Sequence, residues 1–150
     1  MERSWATTIA SRLRAAARWW WTATLVLAGE ECHFHHGWAW VVIISNGLAG
    51  VWALSAHWLT ALRGRPLWWF IGLAEVTVFV QVVLGAVLVG KYKVPLPQFH
   101  AFYGFVAIIA IAILYSYRFQ LKHRLYLLYG LGSLFVMGLG IRAMLIATGG

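Results

Sequence analysis

The chain has 150 residues, 62% of them hydrophobic and 11% charged, with a mean hydropathy of +0.76. That composition excludes an ordinary soluble domain, and the length allows one compact bundle with no second domain. The net charge is +8, from 12 Lys and Arg against 4 acidic residues. The basic residues are spread over loops on both sides, which argues against a nucleic-acid surface and fits anchoring to anionic lipid headgroups.

The first 18 residues carry Arg3, Arg12, Arg14 and Arg18 among alanines and serines. The apolar run Trp19–Gly29 follows, about 11 residues or roughly 16 Å as a helix, which is short for a span. A basic head and a short apolar core also have the pattern of a secretory leader. The reading adopted is an interfacial helix with its arginines in the headgroups; a short, tilted extra span is the alternative. Next comes a polar knot, Glu30-Glu31-Cys32-His33-Phe34-His35-His36.

Continuous apolar runs, rather than alternating ones, then predict spans over about Trp38–Leu59, Leu67–Gly90, Phe99–Tyr117 and Leu125–Thr148. Pro66 suits a helix start, where its missing N–H is not needed. Pro95 and Pro97 keep the second connection extended. The last span is rich in glycine (Gly130, Gly132, Gly138, Gly140), and Gly47 and Gly50 lie in the first; small residues let helices approach closely in lipid. Trp38, Trp40, Trp58, Trp68 and Trp69 fall near span ends, as in an aromatic belt. The fold expected is an all-α integral membrane protein. Residues 1–37 form a basic, interfacial N-terminal segment with its helix, and residues 38–150 form an up-and-down four-helix transmembrane bundle.

The end holding the starts of the first and third spans is face A, and the opposite end face B. Face B collects Arg63, Arg65, Arg118, Lys122 and Arg124, against Lys91 and Lys93 in the face A loop. The positive-inside rule therefore puts face B in the cytoplasm, in a bacterial cytoplasmic membrane crossed several times. The N-terminal arginines conflict with four spans, and a crossing near Ala15–Gly29 would remove the conflict.

Depth along each helix brings polar residues to one end. His35 and His36 open the first span and His100 the third. Gln81 lies roughly 21 Å into the second span and Arg142 roughly 25 Å into the fourth, both measured from face B. Imidazoles from two helices at one depth can ligate haem iron, so His100 with His36 or His35 forms the expected metal-ligand pair. Gly104, one turn after His100, leaves room for a flat macrocycle, or else serves close helix packing. Arg142 is expected to pair with a haem propionate, Glu30 or Glu31, or headgroup phosphate, or to snorkel into face A lipid. The candidate cofactor site is thus His35, His36, Gln81, His100, Gly104 and Arg142, with haem b as cofactor. Towards face B, His57 and Glu75 are read as a structural hydrogen-bonded pair. The knot around Cys32 offers copper or zinc ligands, yet its spacing matches no zinc finger and one helix would not converge them. No catalytic residues are evident.

The segment Gln81-X-X-Leu84-Gly85-Ala86, followed by a proline-bearing loop and His100, resembles the haem A synthase family. Glu30 or Glu31 shortly before His35 or His36 would fill the family's acidic residue and first histidine. The resemblance covers one four-helix half of an enzyme built from two. It implies a b-type haem between His100 and His35 or His36 near the outer face. The pattern is also similar to small bacterial membrane proteins described as cytochrome b-like. Gly37 stands where the family has arginine after the histidine, Cys32 is alone where the family has a cysteine pair, and Arg142 stands where a fourth-helix histidine would be. These departures argue against an enzyme.

Two functions are therefore expected in competition. One is a small haem-binding membrane protein for electron transfer or haem handling. The other is a non-enzymatic accessory subunit of a larger bacterial respiratory or photosynthetic membrane complex. A third, weaker reading is a proton-conducting or transport protein using Glu75, His57 and Arg142. The bilayer is the first expected partner, with a larger complex or a second copy as the protein partner.

Overall fold

A computed structural model describes residues 29, 33–93 and 98–147 of the chain. The expected N-terminal interfacial helix, residues Glu30–Cys32 of the knot, and Pro95 and Pro97 lie outside the described residues. Among the described residues every regular element is helical: α1 His33–Trp58, α2 Arg65–Tyr92, α3 Gln98–Tyr117 and α4 Leu125–Ala147. All four are long and apolar enough to cross a membrane.

Helix α1 already includes His33, ahead of the expected Trp38. Phe34 to Gly37 contain no breaker strong enough to stop it, and Phe34 stacks on Trp38 one turn later with ring centroids 5.9 Å apart. His35 and His36 therefore belong to α1, not to a loop before it. At the other end Arg63 folds back over the last turn. Its Nε donates to the Ala56 carbonyl and its Nη2 to the His57 carbonyl, each at 2.7 Å. A cation there satisfies carbonyls that the helix leaves open. Helix α2 opens with Gly64 and Pro66, as expected, and closes at Lys93, whose φ of 54° is left-handed. The Lys93 N–H returns to the Leu88 carbonyl, an end more often built with glycine.

The helices pack as an up-and-down bundle, and their seams differ in chemistry. Between α1 and α2 the contacts are hydrogen bonds. Trp38 Nε1 donates to the Thr77 carbonyl at 3.0 Å, and Asn46 Nδ2 to the Ala74 carbonyl at 3.1 Å. The Ser45 and Thr77 hydroxyls lie 3.3 Å apart. Between α1 and α4 the contacts are close approaches at small residues. A Cβ on Gly130 would sit 2.7 Å from Leu54 Cγ and 3.0 Å from the Leu54 backbone nitrogen. One on Gly50 would sit 3.0 Å from the Gly130 carbonyl oxygen. Gly132 likewise lies against Leu114 of α3, whereas Gly138 faces open space.

Two buried clusters fill the bundle. One joins Ala49, Ala53, Leu67, Ile71, Leu114 and Tyr129 towards face B. The other joins Val42, Val78, Ala107, Ile111 and Val136 nearer face A. The outward faces are equally apolar: Ile44, Val51, Leu73, Phe105 and Phe135 are each more than half exposed. In water such a surface would aggregate, whereas in lipid it is the expected exterior.

Candidate functional site

The residues nearest face A converge on one point. Helix α1 brings His35, α2 brings Gln81 and Gly85, α3 brings His100, and α4 brings a backbone carbonyl. The His35 and His100 rings lie with centroids 5.8 Å apart and planes inclined at 66°. Gln81 Nε2 is 3.2 Å from His35 Nε2 and 3.2 Å from the His35 carbonyl oxygen. An amide nitrogen can only donate, so His35 Nε2 accepts and the proton of the neutral ring sits on Nδ1. His100 Nδ1 is 3.0 Å from the Ala143 carbonyl oxygen. A carbonyl can only accept, so Nδ1 carries the proton and the lone pair of His100 is on Nε2.

Two of these features match what a haem would need. Imidazoles on opposite sides of one metal ion, each bonded through nitrogen at about 2 Å, have ring centres about 6 Å apart, close to the observed separation. A ligating histidine usually gives its other N–H to a carbonyl, as His100 does. Two buried polar atoms of the site, His35 Nδ1 and Gln81 Oε1, have no hydrogen-bond partner among the described residues. Leaving each unsatisfied costs roughly 1–3 kcal/mol, and iron held by His35 Nε2 would relieve neither. Gly85 adds clearance: a Cβ there would touch His35 Cε1 at 3.4 Å.

Not every expected site residue belongs to this constellation. His36 is exposed, and it is His35 whose ring meets His100. Neighbours in a helix point about 100° apart, so only one of the two can face inward. Arg142 is exposed as well, and α4 supplies the adjacent Ala143 carbonyl in its place. Packing does not demand Gly104: a Cβ there would meet only Val82 Cγ2, at an ordinary 3.8 Å.

His57 and Glu75 are not brought together. The Asn46–Ala74 bond puts those residues at one level, so His57, eleven positions after Asn46, lies roughly 16 Å nearer face B. The His57 ring packs edge-on against Trp58 instead, centroids 5.1 Å apart. Glu75 faces α3 and α4, where Tyr115 and Tyr129 lie close by.

Residues that the sequence reading passed over do structural work. Asn46 is completely buried, and its amide holds α1 to α2. An amide inside an apolar span is the same signal that marked Gln81. Trp38, read as a belt residue, donates across the α1–α2 seam.

Among the described residues, no group of three or more His, Cys, Asp or Glu side chains converges on one point. Comparison of the chain with protein-family models, curated proteins and solved structures finds no match.

Proposed function

We propose that this chain is a small multi-pass protein of a bacterial cytoplasmic membrane that binds one b-type haem at its outer end. It serves electron transfer or haem handling, with His35 and His100 as the residues that would hold the iron. The observation that supports this reading is the imidazole pair itself. Two rings from different helices meet at a ligand-like separation, and one has its tautomer fixed by the Ala143 carbonyl.

Each residue has a distinct part. His100 presents Nε2 with its lone pair free, at no cost in reorientation, because α4 holds Nδ1. His35 presents Nε2 only once the Gln81 amide releases it. Gln81 then keeps its second bond, to the His35 carbonyl. Gln81 is thus a latch on the haem-free state. The bound iron would supply one-electron redox chemistry.

The test is an optical spectrum of protein purified after expression with haem supplied. A Soret band that shifts on reduction is expected, and it should be lost in His100→Ala and in His35→Ala. Colourless wild-type protein refutes the proposal. Colourless protein that co-purifies with a large respiratory or photosynthetic complex in mild detergent supports the accessory-subunit reading instead.

A further inference from the structure

The haem reading leaves one buried acid unused. Glu75 lies on the inward stripe of α2 formed by Leu67, Ile71, Ala74 and Val78, and is only 4% exposed. Counted from Arg65 it sits roughly 15 Å into a span whose apolar thickness is about 30 Å. No cation pairs with it among the described residues, and one of its oxygens, Oε1, has no hydrogen-bond partner. A lone carboxylate at that depth is costly and is by default a functional feature.

What surrounds Glu75 leads in one direction. Helical side chains lean towards the N-terminus, so the carboxyl of Glu75 points back towards face B. There it meets the Tyr115 hydroxyl, from α3. Tyr115 is two residues from the end of α3 and 43% exposed, so its ring spans from the buried acid to the bundle surface. Arg118, just past that end, covers the Tyr115 ring with its guanidinium carbon 5.5 Å from the centroid, close to Tyr129. Tyr129, from α4, is buried beside Tyr115 with ring centroids 6.2 Å apart. Helix α1 contributes only uncharged residues to this cluster, Ala49 and Ala53 among them. The acid is therefore faced by two phenols, with a single guanidinium at the exit.

From this arrangement we infer that Glu75 is a proton-binding site that exchanges with the face B surface through the Tyr115 hydroxyl. A metal cation is a poor occupant: one carboxylate and two phenols give too few oxygens, and Arg118 repels cations at the mouth. A proton needs only the carboxylate and a relay. As the Tyr115 proton passes to the carboxylate, water at the surface gives a proton to the phenol oxygen. One proton is taken up in total, Tyr115 is regenerated and no electrons move. His57 and Arg142, grouped with Glu75 on sequence grounds, have no part in this relay. The inference is also independent of haem, whose candidate ligands lie at the other end of the bundle.

Infrared difference spectroscopy of the full chain in lipid nanodiscs tests it. Glu2, Glu30, Glu31 and Glu75 are the only acidic side chains, so the carboxylic-acid region is simple to assign. A buried carboxylic C=O band that rises on acidification, falls on alkalinisation and shifts in D2O is expected. It should vanish in Glu75→Gln and move, without vanishing, in Glu75→Asp. Tyr115→Phe deletes one hydroxyl and should keep the band while slowing its exchange with D2O by about tenfold or more. Circular dichroism of each variant checks that the helices are intact. A band that survives Glu75→Gln, or no titrating band at all, overturns the site. Wild-type exchange in Tyr115→Phe overturns the route.

Discussion

The glycines of α4 allow a test in which the structure sets opposite expectations for the same substitution. Gly130 and Gly138 lie on one helix, eight residues apart, and Gly→Ala adds one methyl group at each. At Gly138 the added Cβ enters open space. At Gly130 it would lie 2.7 Å from Leu54 Cγ and 3.0 Å from the Leu54 backbone nitrogen. Leu54 can turn its side chain away, but its backbone nitrogen moves only with the whole of α1. Ordinary carbon contacts lie at about 3.5–4.0 Å, so α1 and α4 must part by roughly half an ångström or more. Overpacking of this kind costs about 1–3 kcal/mol.

Exchange of glycine for alanine inside a helix contributes roughly 1 kcal/mol in the other direction at both positions. It cancels in the comparison. Gly138→Ala is therefore expected to be as stable as the parent or slightly more so. Gly130→Ala is expected to fall below Gly138→Ala by about 1–3 kcal/mol. Reversible unfolding in mixed detergent micelles, followed by circular dichroism, reads the difference directly. Equal stability of the two variants would refute the close α1–α4 approach and the packing role given to Gly130.

The other expectations concern the site and the α1–α2 seam. Gln81→Leu removes a bond that must break before His35 can ligate, so haem retention should rise by several-fold, the equivalent of about 1 kcal/mol, in a titration of haem into purified protein; weaker retention would remove Gln81 from its latch role. His36→Ala and Arg142→Ala should leave the Soret band and its reduced spectrum unchanged, since both side chains are exposed, whereas His35→Ala should abolish bis-imidazole spectra. Asn46→Leu exchanges one interhelical bond, worth about 0.6 kcal/mol in lipid, for relief of the orphaned Asn46 Oδ1, worth roughly 1–3 kcal/mol. The variant should unfold no earlier than the parent in the same detergent titration.

The helices were legible because a span needs a long run of apolar residues, and four such runs stand between basic or proline-bearing connections. The depth of the face A residues was legible too, since rise per residue is constant: His35, Gln81 and His100 do meet. Direction around each helix was not. A helix that faces lipid on one side and apolar neighbours on the other carries almost no amphipathic signal, so sequence could not choose between His35 and His36. The same blindness put Arg142 in the site, when the group that α4 delivers is the carbonyl of Ala143. The pairing of Glu75 with His57 failed on depth instead, because His57 lies roughly 16 Å nearer face B than the Asn46–Ala74 level. The partner the structure supplies, Tyr115, looked in the sequence like one more interfacial aromatic.

The two kinds of seam bear differently on the candidate haem site. In lipid there is little hydrophobic drive between helices, so register rests on directional bonds and on close packing. Helices α1 and α2 use bonds: Trp38 to Thr77 and Asn46 to Ala74 fix the level at which Gln81 meets His35. Helix α4 uses close packing. Gly130 against Leu54 seats it on α1, and Gly132 against Leu114 seats it on α3. That seating sets the level at which Ala143 meets His100. The two imidazoles are thus held by independent devices on opposite sides of the bundle. A slip of one residue along α4 would move the Ala143 carbonyl by about 1.5 Å and turn it by about 100°, freeing the His100 tautomer. The same slip would leave the Gln81–His35 contact untouched. The glycines near face B therefore govern the ligand nitrogen near face A, through the rigidity of α4 alone.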